Sequence, residues 1–184
     1  MAHFLVLSLL SLATLFPMTV KAEVVGADFN GFTVRHTINI AAPRRAVYDA
    51  AVNEVGQWWI DDHTMSGDSS NMTIDPRPLG CFCESFANSA GDAVGVVHMT
   101  VTFVNPTVMI RFTGGLGPLG LMGIDGNMTW EFDDSDDGTV VTLNYAVGGY
   151  LAGGLDEVAP AVDSVLGEQL SRLQAHFLAE SGAE

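Results

Sequence analysis

The chain has 184 residues, which is enough for one domain with a sizeable core but tight for two full domains. A hydrophobic content of 48%, with 10 Phe and 3 Trp, excludes an intrinsically disordered protein. The net charge is −15 with only 7 Lys and Arg residues, so the chain repels phosphate groups. We therefore expect neither a nucleic-acid partner nor stable membrane anchoring.

The first 22 residues have the pattern of a removable export signal. An apolar stretch over residues 4–16 is followed by Val20, Lys21 and Ala22, which places small residues where a signal peptidase inspects the chain. The stretch is too short to span a bilayer as a helix, although no Lys or Arg precedes it. The pattern predicts a signal peptide over residues 1–22 and a single mature domain thereafter, periplasmic or secreted.

The mature chain begins with a strand and a short helix. Residues 32–40 alternate between apolar and polar, as a half-buried strand does. Pro43 then fits the first position of a helix, where its missing N–H costs nothing. After the helix come Trp58 and Trp59, and residues 61–70 (DDHTMSGDSS) form a polar, turn-rich loop.

From residue 72 the pattern changes to a run of strands punctuated by Pro, Gly and Asp. The connections are short and contain no helix, which excludes parallel βαβ units and indicates antiparallel hairpins. The predicted strands are residues 72–74, 81–86, 94–104, 108–113, 128–132 and 139–147.

The C-terminal region has the period of a helix. Apolar residues recur every three or four positions between Val158 and Phe177, and Pro160 fits the first turn. A helix of about twenty residues that covers an antiparallel sheet is an α+β design. No internal repeat or linker interrupts the chain, so we expect one domain.

Four segments resemble the START-like (SRPBCC) superfamily. Residues 40–50 (IAAPRRAVYDA) resemble its opening, where a strand meets a helix led by proline. Residues 58–59 (WW) and 74–80 (IDPRPLG) look like the branch named for activators of the heat-shock chaperone ATPase. The tail over residues 147–170 is similar to exported bacterial members, and the resemblance covers residues 32–178 in all. It implies a helix-grip fold: a curved antiparallel sheet wrapped around the long C-terminal helix, with a cavity between them.

Such a cavity raises the question of which strand residues face it. Pairing the two strands on either side of their connecting turn brings Cys81 near Met99 and Cys83 near Val97. His98 then points away from the cavity. In this register the cavity-facing side chains are those of Cys81, Cys83, Val97, Met99, Val101 and Phe103.

The only two cysteines are Cys81 and Cys83. A mutual disulfide at this spacing is strained in an extended chain, so we interpret them as small, half-buried apolar residues rather than as a redox pair. A zinc site that adds His63 and His98 to them lacks a second pair of close ligands. We predict no metal site and no cofactor.

His63 in the polar loop is the candidate for acid–base catalysis, with Asp61 or Asp62 beside it. The alternative is an ordinary solvent-exposed loop histidine. Charged residues also occur within the predicted strands, where one that faces inward must be paired and would orient a polar ligand group. These strand residues are Glu84, Arg111 and Glu131.

Residues 114–123 (GGLGPLGLMG) combine a glycine-rich backbone with apolar side chains such as Leu116. The segment lacks the Lys and the Ser or Thr of a phosphate-binding loop, so we do not expect nucleotide binding. It fits either a lid over the mouth of an apolar cavity or a plain hairpin loop.

Together these features predict an exported protein that binds a small, mainly apolar molecule between the sheet and the C-terminal helix. The alternatives are a cyclase-type or hydrolase-type enzyme that uses the same cavity, and a co-chaperone-like interaction protein. The predicted ligand-binding residues are Trp58, Trp59, Cys81, Cys83, Met99, Val101, Phe103, Leu116, Tyr145 and Leu166.

Overall fold

The computed structural model describes residues 21–181. Within these residues, eight antiparallel strands form one sheet that organises the fold. The order of the strands across the sheet is β1-β2-β8-β7-β6-β5-β4-β3. The strands are β1 (Lys21–Asp28), β2 (Gly31–Ile40), β3 (Met72–Ile74), β4 (Cys81–Ala87), β5 (Ala93–Asn105), β6 (Met109–Thr113), β7 (Asp125–Ser135) and β8 (Gly138–Gly148).

A long C-terminal helix packs against this curved sheet and completes an α+β helix-grip fold, as predicted. It contacts β1 and β2 at one side of the sheet and the short helix at Val55–Trp58. Within residues 21–181 we find no helix with the length and apolar character needed to cross a membrane. The helices are α1 (Arg44–Asn53), α2 (Val55–Trp58), α3 (Pro118–Leu121) and α4 (Ala159–Ser181).

The predicted strands are all present, and their ends lie within three residues of the predicted ones. Strand β1 is not among the predicted strands, because its sequence KAEVVGAD lacks a clear alternation and its first two residues belong to the predicted signal peptide. Residues 1–20 of that peptide lie outside the described residues, so its removal stays a prediction.

Alternating apolar residues give the sheet one buried face, which we call the inner face. Along β2 every second side chain is buried, including those of Val34, His36 and Ile38. Helix α4 covers this face with Leu166, Leu170 and Leu173, a spacing of three or four residues that puts all three on one side of the helix. The inclusion of a histidine in the row means that a polar group lies under the helix.

Two bulges in β5 control which of its side chains face inward. Phe82 of β4 pairs with Met99, but the next residue of β4 pairs with Val97, so His98 is an extra residue. A second shift between Val101 and Phe103 leaves residue 102 unpaired in the same way. Each extra residue reverses the alternation beyond it, which strict two-residue periodicity does not anticipate.

Candidate functional site

A cavity of about 330 Å³ lies between the sheet, helix α4 and two loops. Residues 161–166 of α4, together with Val158 just before the helix, form one wall, the polar loop at 62–65 a second, and the glycine-rich segment at 116–122 a third. His98 and Tyr145 reach it from the sheet. The lining is mainly apolar with a few polar side chains, which is the usual make-up of a small-molecule site.

Five of the residues predicted to act at the site line this cavity: Trp59, His63, Leu116, Tyr145 and Leu166. Trp59 connects the polar loop to the sheet, because its indole N–H donates to the carbonyl oxygen of His63 at 3.1 Å while its ring packs edge-on against that of Phe82 in β4, with the ring centres 5.2 Å apart. The polar loop is therefore held, through Trp59, against the buried ring of Phe82.

The glycine-rich segment, residues 114–123, covers part of the cavity, and we call it the lid. Tyr145 holds it to the sheet: its hydroxyl accepts the N–H of Leu116 and donates to the carbonyl oxygen of Gly114, both at 3.0 Å. Burial raises the pKa of Tyr145 to about 12. The lid also contains the short helix α3, entered through Gly117 at a φ of 58°, a left-handed conformation that favours glycine. The glycine-rich sequence did not predict this helix.

Trp58 does not line the cavity, contrary to the prediction. Its side chain is 2% exposed in the core, where its indole N–H donates to the carbonyl oxygen of Ala50 at 3.2 Å and its ring lies 6.0 Å from that of Trp130. Helix α2 ends at Trp58 and Trp59 is extended, and the two rings contact each other with their centres 5.5 Å apart, so that Trp59 lies between Trp58 and the cavity.

The predicted β5 residues are also not in the cavity wall. Met99 and Val101 face inward but are sealed within the packed core. Phe103 lies on the opposite, outer face and is 41% exposed, with the guanidinium carbon of Arg111 5.7 Å from its ring centre. The bulge between Val101 and Phe103 causes this reversal.

Cys81 and Cys83 form a disulfide on the outer face of β4, away from the cavity. The expectation of two unbonded cysteines facing the cavity is therefore wrong. The two Cα atoms lie 5.4 Å apart, whereas two steps of a regular strand span about 6.6 Å, so the backbone of β4 is less extended here than the expectation assumed. The predicted pairing of Cys83 with Val97 is present, but Cys81 pairs with Thr100 instead of Met99.

A buried histidine–carboxylate pair borders the cavity. Glu84 is fully buried, and its Oε1 lies 2.8 Å from Nε2 of His98. The same carboxylate accepts the backbone N–H of Met65 at 2.7 Å and that of Ser66 at 2.9 Å. The prediction that His98 points away from the cavity is wrong, because the bulge turns its side chain inward.

These contacts decide the ionisation of Glu84. Burial raises the pKa of its carboxyl group, but the hydrogen bonds from Met65, Ser66 and His98 together outweigh burial and hold the pKa below the ordinary value of 4.5. The carboxylate is therefore ionised at neutral pH and acts only as an acceptor. Among the charged strand residues singled out from the sequence, Glu84 is the buried one, whereas Arg111 is exposed.

His63 lies at the cavity wall with its side chain 28% exposed. Its carboxylate partner is Glu168 of α4, at 3.3 Å from Nε2, and not Asp61 or Asp62 as expected. Asp61 instead accepts the N–H of Ser69 at 2.8 Å, and this backbone hydrogen bond is the main reason that its pKa is lowered.

Sequence reasoning did not identify the Glu84–His98 pair. Both residues were noted as strand residues with polar side chains, but the two-residue period places His98 on the outer face. A bulge depends on how two strands pair, so no local pattern reveals it. The available signal is a glutamate within a predicted strand, which requires an inward partner if it is buried.

In the part of the chain that the structure describes, no three His, Cys, Asp or Glu side chains are grouped as a metal site requires. The two cysteine sulfurs are bonded to each other, so they are not thiolate ligands for His63 or His98.

Solved structures with this architecture share little sequence with the chain. A Rhizobium leguminosarum protein described as uncharacterized matches with a TM-score of 0.58 at 18% identity, covering 88% of this chain and 99% of its own. A Mycobacterium smegmatis protein matches with a TM-score of 0.55 at 19% identity, covering 89% and 99%. DynU16, from the dynemicin biosynthetic locus, has a TM-score of 0.55 at 17% identity, covering 82% of this chain and 48% of its own.

Neither a family model nor a curated protein matches the chain. At these identities the likeness to solved structures concerns the fold alone. It shows that this chain has an antiparallel sheet with a C-terminal helix of a kind found in several bacterial proteins.

Proposed function

We propose that the protein binds a small, mainly apolar molecule in the cavity between the sheet, the lid and helix α4. The observation that carries the proposal is the cavity itself, with a volume of about 330 Å³ and mainly apolar walls. This volume lies at the lower end of the ~300–1,000 Å³ typical of ligand sites. The START-like motifs at residues 40–50 and 74–80 support placing the chain in a superfamily whose members use such a cavity.

Export of the mature chain is part of the same proposal. The pattern of residues 1–22 supports it, and so does the Cys81–Cys83 disulfide, because disulfides persist mainly in oxidising compartments. We expect protein isolated from its own cells to begin at Glu23, which intact-mass measurement reports directly. A mass that retains residues 1–22 in all cell fractions contradicts export.

Native mass spectrometry of the protein from its own periplasm, followed by organic extraction, is the first test of ligand binding. We expect a stoichiometric small molecule that partitions into the organic phase. Protein of bare-chain mass that also fails to bind the neutral fluorescent probe N-phenyl-1-naphthylamine contradicts the proposal.

Replacing each of two alanines of α4 by tryptophan, one at the cavity wall and one outside the cavity, tests where the ligand binds. Ala161 and Ala175 are both exposed residues of α4, but Ala161 lines the cavity and Ala175 does not. Ala161→Trp places a large side chain at the cavity wall, so we expect it to weaken N-phenyl-1-naphthylamine binding about tenfold or more, equivalent to about 1.4 kcal/mol. Ala175→Trp should leave binding within about twofold, since it adds the same side chain elsewhere. Equal effects of the two variants contradict this location.

An enzyme of hydrolase type is the second candidate, and the His63–Glu168 contact at the cavity wall favours it. A histidine held by a carboxylate is suited to general base catalysis. This candidate predicts that the protein hydrolyses small apolar aryl esters and that His63→Ala abolishes turnover without weakening probe binding. Turnover that is unchanged in His63→Ala contradicts it.

A further inference from the structure

We propose that His98 is the polar recognition group of the cavity and that its Nδ1 accepts a hydrogen bond from a neutral hydroxyl or phenol group of the ligand. This inference rests on the proposed function and specifies the chemical class of the ligand. It follows from the proton position on the imidazole, from the surroundings of Nδ1 and from the charges near the cavity.

Glu84 determines which ring nitrogen carries the proton. Its carboxylate accepts the N–H of Met65 and of Ser66, and Nε2 of His98 lies 2.8 Å from it. A carboxylate surrounded by backbone donors accepts hydrogen bonds and does not donate them, so the proton of the neutral imidazole is on Nε2. Nδ1 then has a free lone pair, which makes it a hydrogen-bond acceptor.

Nδ1 of His98 has no hydrogen-bond partner among the described residues, and it is not sealed from solvent. His98 lines the cavity, and its one side-chain hydrogen bond is the one to Glu84. By contrast, both ring nitrogens of His36 are sealed in the protein interior. A purely apolar ligand would displace water from Nδ1 and leave this acceptor unpaired, which costs binding free energy. A ligand with a suitably placed hydroxyl group avoids that cost.

Apart from the carboxylate of Asp62, which is exposed to solvent, the other polar side chains of the cavity wall have partners within the protein. The hydroxyl of Tyr145 both donates and accepts within the lid contact. Nε2 of His63 faces Glu168, and the hydroxyl of Thr64 donates to the carbonyl oxygen of Asp61 at 2.8 Å. His98 is therefore the buried side chain that remains available to orient a ligand.

The surrounding charges select a neutral donor. Asp62 lines the cavity, Glu84 lies behind His98, and Glu168 contacts the wall residue His63, while no Lys or Arg is among the lining residues described. An anionic ligand group would be repelled by these carboxylates. The unpaired carboxylate among the lining residues, that of Asp62, is exposed to solvent, so an ammonium group at the buried His98 would lose its hydration without a free buried carboxylate to pair with it. A hydroxyl or phenol group incurs neither penalty.

Two probes of nearly equal shape test the inference: 2-naphthol, which has a hydroxyl donor, and 2-methoxynaphthalene, which has none. We measure their dissociation constants at neutral pH by calorimetry on the wild-type protein. We expect 2-naphthol to bind about five- to tenfold more tightly, the size of one net hydrogen bond. Equal affinities overturn the inference but leave the proposed function standing. Binding of neither probe overturns both.

Two variants of matched shape identify the acceptor. His98→Leu and His98→Asn both remove the imidazole contact with Glu84, but the asparagine side chain keeps an oxygen near the position of Nδ1. We expect His98→Leu to bind both probes equally and His98→Asn to retain a preference of about threefold for 2-naphthol. An undiminished preference in His98→Leu overturns the inference.

A measurement on the wild-type protein covers the case in which the variants fold poorly. We expect the ¹⁵N resonance of His98 Nδ1 to shift on addition of 2-naphthol and to move much less with 2-methoxynaphthalene. The same shift with both probes overturns the inference.

Discussion

Two buried histidines of this fold each lie close to a carboxylate, yet their surroundings differ. Nε2 of His98 lies 2.8 Å from Glu84, and Nε2 of His36 lies 2.9 Å from Oδ1 of Asp163. Glu84 is fully buried and accepts two backbone N–H groups as well, whereas the Asp163 side chain is 22% exposed. The His36 contact is short, but its atoms are not aligned for a hydrogen bond.

The backbone around each pair explains the difference. A bulge in β5 turns His98 towards the cavity, while His36 sits under helix α4 with Gly167 above its ring. A Cβ atom at Gly167 would lie 2.9 Å from Cε1 of His36, so the glycine permits the helix to approach. We conclude that a short histidine–carboxylate distance alone does not indicate function. The alignment of the pair and the access of the second ring nitrogen distinguish a site from a packing contact.

The largest expected effect is that of Glu84→Gln. Both carboxylate oxygens accept N–H groups, so an amide at this position places its own N–H₂ against a buried donor. We expect the free energy of unfolding to fall by about 3 kcal/mol, measured by urea denaturation.

Asp163→Asn is the matched control for that substitution. Because Asp163 is partly exposed and its contact with His36 is not aligned, we expect a loss of about 1 kcal/mol or less. Equal losses for the two variants would show that the two pairs do not differ in the way the structure indicates.

Gly167→Ala tests the close approach of helix α4 to His36. We expect it to destabilise the wild-type protein but to stabilise a variant in which the His36 ring has been removed. In the wild-type protein the new methyl group overlaps His36, so the free energy of unfolding should fall by about 2 kcal/mol. In a His36→Ala background the overlap is gone, and alanine should stabilise the helix by up to about 1 kcal/mol relative to glycine. A double-mutant cycle by urea denaturation measures both values, and additive effects contradict the close approach.

Tyr145→Phe should affect the lid over the cavity and leave the surroundings of His36 unchanged. The variant loses the hydrogen bonds to Leu116 and Gly114, so we expect about 1 kcal/mol less stability and faster amide hydrogen exchange in the lid. Exchange around His36 should not change. Lid exchange rates equal to those of the wild type contradict the role of Tyr145 as the lid's anchor.

The smallest expected effect is a pH dependence that distinguishes the wild-type protein from Glu84→Gln. The folded-state pKa of Glu84 lies below its ordinary value of 4.5, so the stabilisation it provides is complete above that pH. As the pH falls through the folded-state value, this stabilisation is lost. The difference in unfolding free energy between the two proteins should therefore shrink as the pH is lowered from 4.5 to below the folded-state pKa. A difference that stays constant over this range contradicts the lowered pKa.

Much of the cavity wall could be predicted because it lies on segments with a clear local character. Trp59 and His63 lie at the start of a polar loop, Leu116 in a glycine-rich segment and Leu166 on a helix of regular period. Each position follows from neighbours along the chain. The sheet side of the cavity could not be predicted reliably in this way, since strand register depends on residues far apart: Tyr145 lines the cavity as expected, whereas His98 was expected on the opposite face.

The amino-acid sequence by itself determined the α+β architecture, seven of the eight strands and helix α4, because the periods of two and 3.6 residues are local properties of the chain. Only the tertiary structure decided which side of the sheet His98, Phe103 and the two cysteines occupy. A single extra residue in β5 reverses every side chain beyond it, and the pairing of β5 with its neighbours, not its own sequence, selects where that residue is placed.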